Sequence, residues 1–270
     1  MSVITISRGS YSYGKGIAEK VAQRLGYACL AREVLIEASK EYNIPEIKLF
    51  SAVHGTPSFL DHFTLEKEKY ITYIQAALLK YLSKDNVVYH GFGGQFFIKN
   101  IPHVLKIRIN ADIKDRVNIL KEREEIANKE ALRRIRDIDK QRKKWSKHLY
   151  GIDTWNSSLY DLVIQIGKIT VDEAVDVICS SATLNCFQTT PESQQAMNDL
   201  SLAANVKAAL IDLKRDIWVS AQNGVVGIRA SIQESKEYKL TQDIKKIVDE
   251  IPGVKEVRMD ITSIPTYAHH

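Results

Sequence analysis

The chain has 270 residues, 44% of them hydrophobic, and a formal net charge of +5. That is enough apolar material for one large domain or two modest ones, and the charge balance is too mild to argue for nucleic acid. Cys29, Cys179 and Cys186 form no Cys-x-x-Cys pair, which speaks against a disulfide framework or a zinc site.

The opening run Val3-Ile4-Thr5-Ile6 predicts a buried strand, Val3 to Ser7. Gly9 to Gly16 follow directly and read Gly-Ser-Tyr-Ser-Tyr-Gly-Lys-Gly, the Gly-x-x-x-x-Gly-Lys spacing of a phosphate-binding loop. A helix over Gly16 to Leu25 completes the strand–loop–helix context that such a loop requires. In this reading Gly9 and Gly14 let the backbone form a nest of N–H groups, the helix start adds partial positive charge, and Lys15 supplies a mobile cation for the β and γ phosphates. Ser10, Tyr11, Ser12 and Tyr13 lie within the loop. Gly16 and Ile17 stand where a Walker loop places the hydroxyl that helps hold Mg²⁺. The plain structural alternative is a glycine-rich turn with an exposed lysine.

Further along, helices are predicted over Arg32 to Tyr42 and Thr64 to Leu82, the latter with Tyr70, Tyr73, Ile74, Ala77, Leu78 and Tyr81 on one face. Strands are predicted over Asn86 to Tyr89, Val104 to Ile109 and Leu162 to Ile166. Lys114 to Lys147 reads as a long helix broken near Asn128, and Val171 to Ile178 as a last helix. Short apolar strands alternating with helices imply a parallel sheet covered on both faces, with ligands at the carboxyl ends of its strands. No apolar run approaches the roughly 18 residues of a membrane span, and the first ten residues are accounted for as strand and loop, so no leader or transmembrane segment is expected and a cytoplasmic protein is. His269 and His270 are given no role.

Ser180 to Asp199 is rich in Ser, Thr and Gln and lacks apolar periodicity, so it reads as a linker, residues 181–199, between a first domain, 1–180, and a second, 200–264. The second block predicts a helix over Ala203 to Leu213, a hairpin of Ile217 to Gln222 and Val225 to Ile232 around Asn223-Gly224, a helix over Tyr238 to Glu250, and a strand over Val254 to Ile261. The order is α-β-β-α-β.

The first block resembles the cytidylate kinase-like family of P-loop kinases over nearly all of residues 2 to 180. The residues that carry the resemblance are Ile4-Thr5-Ile6-Ser7-Arg8, the loop to Lys15, Ile17-Ala18-Glu19-Lys20, Arg32-Glu33-Val34-Leu35, Val87-Val88-Tyr89, Arg133 to Arg142, and Tyr160-Asp161-Leu162-Val163. The resemblance implies an α/β fold like that of P-loop nucleoside monophosphate kinases, with ATP and Mg²⁺ as cofactors and a nucleotide as partner. It also implies a mobile lid over Leu132 to Arg142, whose Arg136 and Arg142 close on the phosphates with Asp139 orienting them, since phosphoryl transfer consists largely of positioning and charge stabilisation. Arg32, His90 and Arg133 are candidate substrate contacts. The alternative for each lid arginine is an exposed, mixed-charge helix face.

Three departures bear on catalysis. Ala31 replaces an aspartate that usually precedes the arginine at position 32. His90-Gly91-Phe92-Gly93-Gly94 replaces a Gly-Arg-Gly turn, with His90 where adenylate kinases carry an aspartate. Ile17 replaces the loop threonine. Two readings follow: an ATP-dependent kinase of a nucleoside monophosphate, or a nucleotide-sensing protein with weak catalysis. A third, nucleic-acid binding through the basic stretch Arg133 to Lys147, lacks interleaved aromatics, and no nucleic acid is expected. Residues Leu200 to Ile261 resemble a BON domain through Val206-Lys207-Ala208-Ala209-Leu210, Asn223-Gly224-Val225-Val226 and Pro252 to Val257. That resemblance implies a small α+β module that contacts a small ligand or lipid, or that docks or dimerises, which leaves a homo-oligomer open.

Overall fold

Alternating apolar strands and amphipathic helices build two sheets joined by a shared helix. The structure, a computed structural model, describes residues 2–54, 64–91, 93–98 and 100–264; His269 and His270 lie outside them. In chain order the elements are β1 (Val3–Arg8), α1 (Gly14–Leu25), β2 (Ala28–Leu30), α2 (Glu33–Glu41), α3 (Glu46–His54), α4 (Thr64–Leu82), β3 (Val87–Tyr89), α5 (Gly94–Phe97), β4 (Val104–Ala111), α6 (Ile113–Glu124), α7 (Asn128–Tyr150), β5 (Leu162–Ile166) and α8 (Val171–Ala182). They are followed by α9 (Pro191–Leu210), β6 (Trp218–Gln222), β7 (Val225–Gln233), α10 (Glu237–Val248) and β8 (Glu256–Ile264).

The first sheet has five strands in the order β2-β3-β1-β4-β5, and every pairing in it is parallel. Because side chains alternate across a strand, β1 feeds two cores. Ile4 and Ile6 face α1 and α8, together with Ile17, Val21, Val175 and Ile178. Val3 faces the opposite layer, where α2, α4 and α9 contribute Leu35, Leu78, Leu82, Met197 and Ala208. Central β1 lies between β3 and β4, so the loops after these three strands open at one edge, the switch point where α/β sheets bind ligands.

Several elements differ from the sequence expectation. The elements β2, α3 and α5 were not foreseen; the three residues of β2 and the four of α5 are too few to show a period, and the nine of α3 make barely two and a half turns. The predicted break in the long helix falls at Glu125, whose left-handed φ of 53° closes α6. Helix α4 is buried on more than the one face predicted for it: Ile71, Ala76 and Leu79 are inward as well, because the sheet side, α2 and α9 all pack on it.

The stretch read as a linker is helical from Pro191 onward. The residues that suggested a loop are a helix start: Thr190 caps the Ser193 amide, Ser193 returns a bond to the Thr190 amide, and Pro191 sits in the first turn. Met197, Ala204 and Ala208 of α9 belong to the first core, whereas Val206 and Leu210 belong to the core of the second sheet. A helix with inward residues on two sides shows no single apolar stripe, which hid it from a periodicity reading. The second sheet runs β6-β7-β8, with an antiparallel hairpin and a parallel β8. Asn223 and Gly224, at φ 52° and 86°, form the tight hairpin turn expected of that dipeptide. Among the described residues no helix is long and apolar enough to cross a membrane.

Met197 is fully buried in the first core, although it lies beyond the first block. Met197→Ala should lower unfolding free energy by about 2–4 kcal/mol, read from urea denaturation followed by circular dichroism.

Candidate functional site

The loop after β1 is built differently from the way its glycines suggest. Gly9 and Gly14 have ordinary backbone angles, and the left-handed positions are Tyr11 (φ 57°) and Tyr13 (φ 64°), alternate residues in the manner of an anion-binding nest. Gly14 is needed for another reason: a Cβ there would stand 2.7 Å from Cδ of Arg8, whose stem crosses it. Tyr11 turns its ring onto the α6–α7 pair beside Val117, Leu120, Ala131 and Ile135, with its hydroxyl 3.5 Å from Glu124. Tyr13 is exposed at the N-cap of α1. Among the described residues no main-chain carbonyl accepts from the amides of Tyr11 to Gly16, and the first helical bond is that of Ile17 to Tyr13. Those amides meet at the start of α1, where the helix dipole favours negative charge.

Lys15 is solvent-exposed and 3.6 Å from Glu19, one turn further along α1. A Cβ at Gly16 would meet nothing within 4 Å. Ile17 is fully buried in the core, so the position offers a side chain to the core and none to a ligand.

Beside the loop lies a cavity of about 210 Å³ at the carboxyl ends of β1, β3 and β4. Of the residues anticipated from sequence, Gly9, Arg32, His90, Asp139 and Arg142 line it, whereas Lys15 and Gly16 do not. Arg133 and Arg136 are exposed on α7 and stay outside the cavity. Helical geometry explains this: Ile135, Asp139 and Arg142 follow one face at spacings of four and three, and Arg136 is turned about 120° from Arg142. Arg32 sits exposed at the rim, its Nε 2.5 Å from Glu46.

Two lining arginines were given no role from sequence: Arg8, which ends β1, and Arg108, inside β4. The available signal was an arginine within a buried parallel strand, a place where charge is rare. Arg108 is 5% exposed, and its guanidinium lies 4.7 Å from the Trp155 ring centroid and 5.7 Å from that of Tyr160. Its Nε is buried without a hydrogen-bond partner. Arg8 donates from Nη1 to Nδ1 of His90 at 2.5 Å, and Arg142 donates to the Arg8 carbonyl at 3.4 Å. Among the described residues none of Arg8, Arg108 and Arg142 has a carboxylate within ion-pair distance. Burial, then the charge of Arg142, lowers the pKa of Arg8; burial likewise lowers that of Arg142, against the pull of Asp139. Uncompensated charge of this kind is costly and calls for an anionic ligand.

The glycines after β3 serve the wall. A Cβ at Gly91 or Gly94 would fall 2.1 Å or 2.5 Å from atoms of the Tyr89 side chain, so the turn can wrap that ring only with glycine there. The turn brings no arginine of its own; Arg8 and Arg108 face the cavity from the neighbouring strands. His90 accepts at Nδ1 from Arg8, which can only donate, so its proton is assigned to Nε2.

Asp139 does not orient Arg136. It pairs with Arg116 of α6 at 2.7 Å and accepts from the Ser10 hydroxyl at 2.9 Å. The Ser12 hydroxyl donates to the carbonyls of Gly9 and Ile109. With the Ser10 hydroxyl held between Arg116 and Asp139, the Ser12 hydroxyl buried against the carbonyls of Gly9 and Ile109, Ile17 in the core and Asp139 ion-paired, the described residues do not fit a Mg²⁺ held by the chain itself. The loop amides do fit a polyphosphate.

A parallel sheet that presents a glycine loop, a helix start and, among the described residues, arginines without an ion-pair partner at one edge fits the P-loop, nucleoside monophosphate kinase-like class. The chain belongs to the cytidylate kinase-like family, whose model matches residues 3–168. It is 29% identical over 170 residues to a cytidylate kinase of Pyrococcus horikoshii, covering 62% of this chain and 80% of that protein. It is 27% identical over 179 residues to a cytidylate kinase of Pyrococcus furiosus, covering 65% and 85%. A solved structure of an uncharacterised protein from Eubacterium ventriosum shares the fold, with a TM-score of 0.51 at 22% identity over 67% of this chain and 98% of the other.

Burial, and after it the charge of Arg8, pushes the His90 pKa down from 6.5 to about 4. Between those values the unfolded chain binds a proton that the folded chain refuses, so His90 makes stability fall as pH drops from 6.5 toward 4. Lowering the pH from 7 to 4.5 should cost His90→Gln about 2–3 kcal/mol less unfolding free energy than it costs the unsubstituted protein, as read by urea titration at each pH.

Proposed function

We propose that the protein transfers a phosphoryl group from ATP to a nucleoside monophosphate of the cytidylate type. The observation that carries this reading is the cavity itself: three guanidinium groups, Arg8, Arg108 and Arg142, converge there beside the loop, and among the described residues they have no carboxylate partner and the loop amides no main-chain acceptor. The loop would hold the triphosphate, with Lys15 swinging in from solvent, and the cavity would hold the acceptor's phosphate. The planar guanidinium forks suit phosphate oxygens, and an excluded, positively lined site stabilises charge on the transferring group. Trp155 and Tyr89 supply flat walls for a base. Mg²⁺ would be carried by the nucleotide phosphates and water.

The engaged hydroxyls of Ser10 and Ser12 favour a second reading, in which ATP or a related nucleotide is bound and sensed with little turnover. Residues 200–264 would act in either case as a BON-like module for docking, regulation or a small ligand or lipid, a reading supported by the α-β-β-α-β order and the β6-β7-β8 sheet. In either case we place the protein in the cytoplasm.

Incubation with ATP, Mg²⁺ and a panel of nucleoside monophosphates should yield diphosphates, and Lys15→Ala should lower kcat/KM by roughly 100-fold or more. Tight ATP binding without diphosphate formation would select the sensing reading, and neither binding nor transfer by folded protein would end both. Gly16→Ser adds a hydroxyl in open space at the first turn of α1, and should leave the melting temperature unchanged or higher while raising the transfer rate.

A further inference from the structure

Arg116 was not singled out from sequence and does not touch the cavity, yet it makes the densest set of polar contacts around the loop. It lies in the first turn of α6, and its side chain is 7% exposed. Its Nε donates to the carbonyl of Ser10 at 2.7 Å. Its Nη2 donates to the Ser10 hydroxyl at 2.6 Å and to both Asp139 oxygens, at 2.9 and 2.7 Å. The Ser10 hydroxyl in turn donates to Asp139 at 2.9 Å.

We infer that Arg116 is a positioning residue, one that sets the phosphate loop for an anion and couples it to helix α7. This rests on the reading of the loop as a triphosphate site. In a trans peptide the carbonyl and the next N–H point in opposite directions. A Ser10 carbonyl held by Arg116 therefore turns the Tyr11 amide away from Arg116, and it removes a carbonyl dipole that would otherwise be free to face an incoming anion. The following residue, Tyr11, is in the left-handed region, where a non-glycine residue stays only if its surroundings hold it. Arg116 holds one side of that residue, and the packing of the Tyr11 ring holds the other.

The same guanidinium takes the Asp139 carboxylate as its ion-pair partner, so Arg142, three residues further along α7, feels the charge of Asp139 without pairing with it. Helix α7 thus meets the Arg8–Ser10 segment at two points, Asp139 on Ser10 and Arg142 on the Arg8 carbonyl. Displacement of Ser10 by a bound polyphosphate would be felt at α7 through this contact, and displacement of α7 would be felt at the loop.

The test uses the full chain and two probes, inorganic tripolyphosphate and ATP, with binding read by calorimetry and steady-state constants measured for ATP and for CMP as acceptor. Arg116→Lys keeps the charge and loses the fork. It should weaken tripolyphosphate and ATP binding and raise KM for ATP at least tenfold, leaving KM for CMP within twofold. Asp139→Asn should weaken tripolyphosphate binding in the same direction, and the double variant should bind no more weakly than Arg116→Lys alone, because the two act as one unit. Ser10→Ala keeps the test open if Arg116→Lys does not fold; it should lose threefold or more in tripolyphosphate affinity at an unchanged melting temperature. Unchanged tripolyphosphate affinity in the folded variants overturns the inference, as do additive losses or an equal rise in both KM values with a lower melting temperature, which would mark a packing role only. If the unsubstituted protein binds neither tripolyphosphate nor ATP, the reading of the loop falls and the inference falls with it.

Discussion

The constraint on which the site depends is the burial of positive charge without its counter-charge. Arg8, Arg108 and Arg142 reach one cavity from two strands and a helix, and the single carboxylate that lines it among the described residues, Asp139, is already committed to Arg116. Charge removed from water in this way works against folding, so the surrounding structure has to hold it in place. The rigid part of that support is the five-stranded sheet with a core on each face. The aromatic rings of Trp155 and Tyr160 supply the rest by flanking Arg108, and neutral His90 accepts a bond from Arg8 without adding charge.

Much of the architecture was legible in the sequence. The strand–loop–helix opening, the alternation that implied a parallel sheet and the hairpin at Asn223-Gly224 all depend on local chemistry, which a sequence displays directly. The site was legible in outline: Gly9, His90, Asp139 and Arg142 were singled out and do line one cavity. The partners of those residues were not legible. The resemblance assigned Asp139 to the lid arginines, but its ion-pair partner is Arg116, which arrives from a different helix. Arg136 was grouped with Arg142 through the resemblance to a kinase lid, and the turn of the helix separates them. The positive-φ work of the loop falls on two tyrosines, which no turn propensity would nominate.

The engaged loop hydroxyls and the free backbone amides point in different chemical directions. Amides recognise a polyphosphate whatever its metal, whereas hydroxyl and carboxylate oxygens select and place the metal. Here the first set is available and the second is occupied with internal bonds. The family membership fixes the class of protein.

Helix α9 has one flank in each core, and Lys69 and Tyr73 of α4 both contact Asp212 just beyond its end. A protein cut at the apparent boundary near residue 200 would therefore keep Met197 and lose Ala204 and Ala208, opening a trough along α4. The trailing module is thus no detachable passenger. A replacement module would have to bring a helix flank that fills the same trough beside α4.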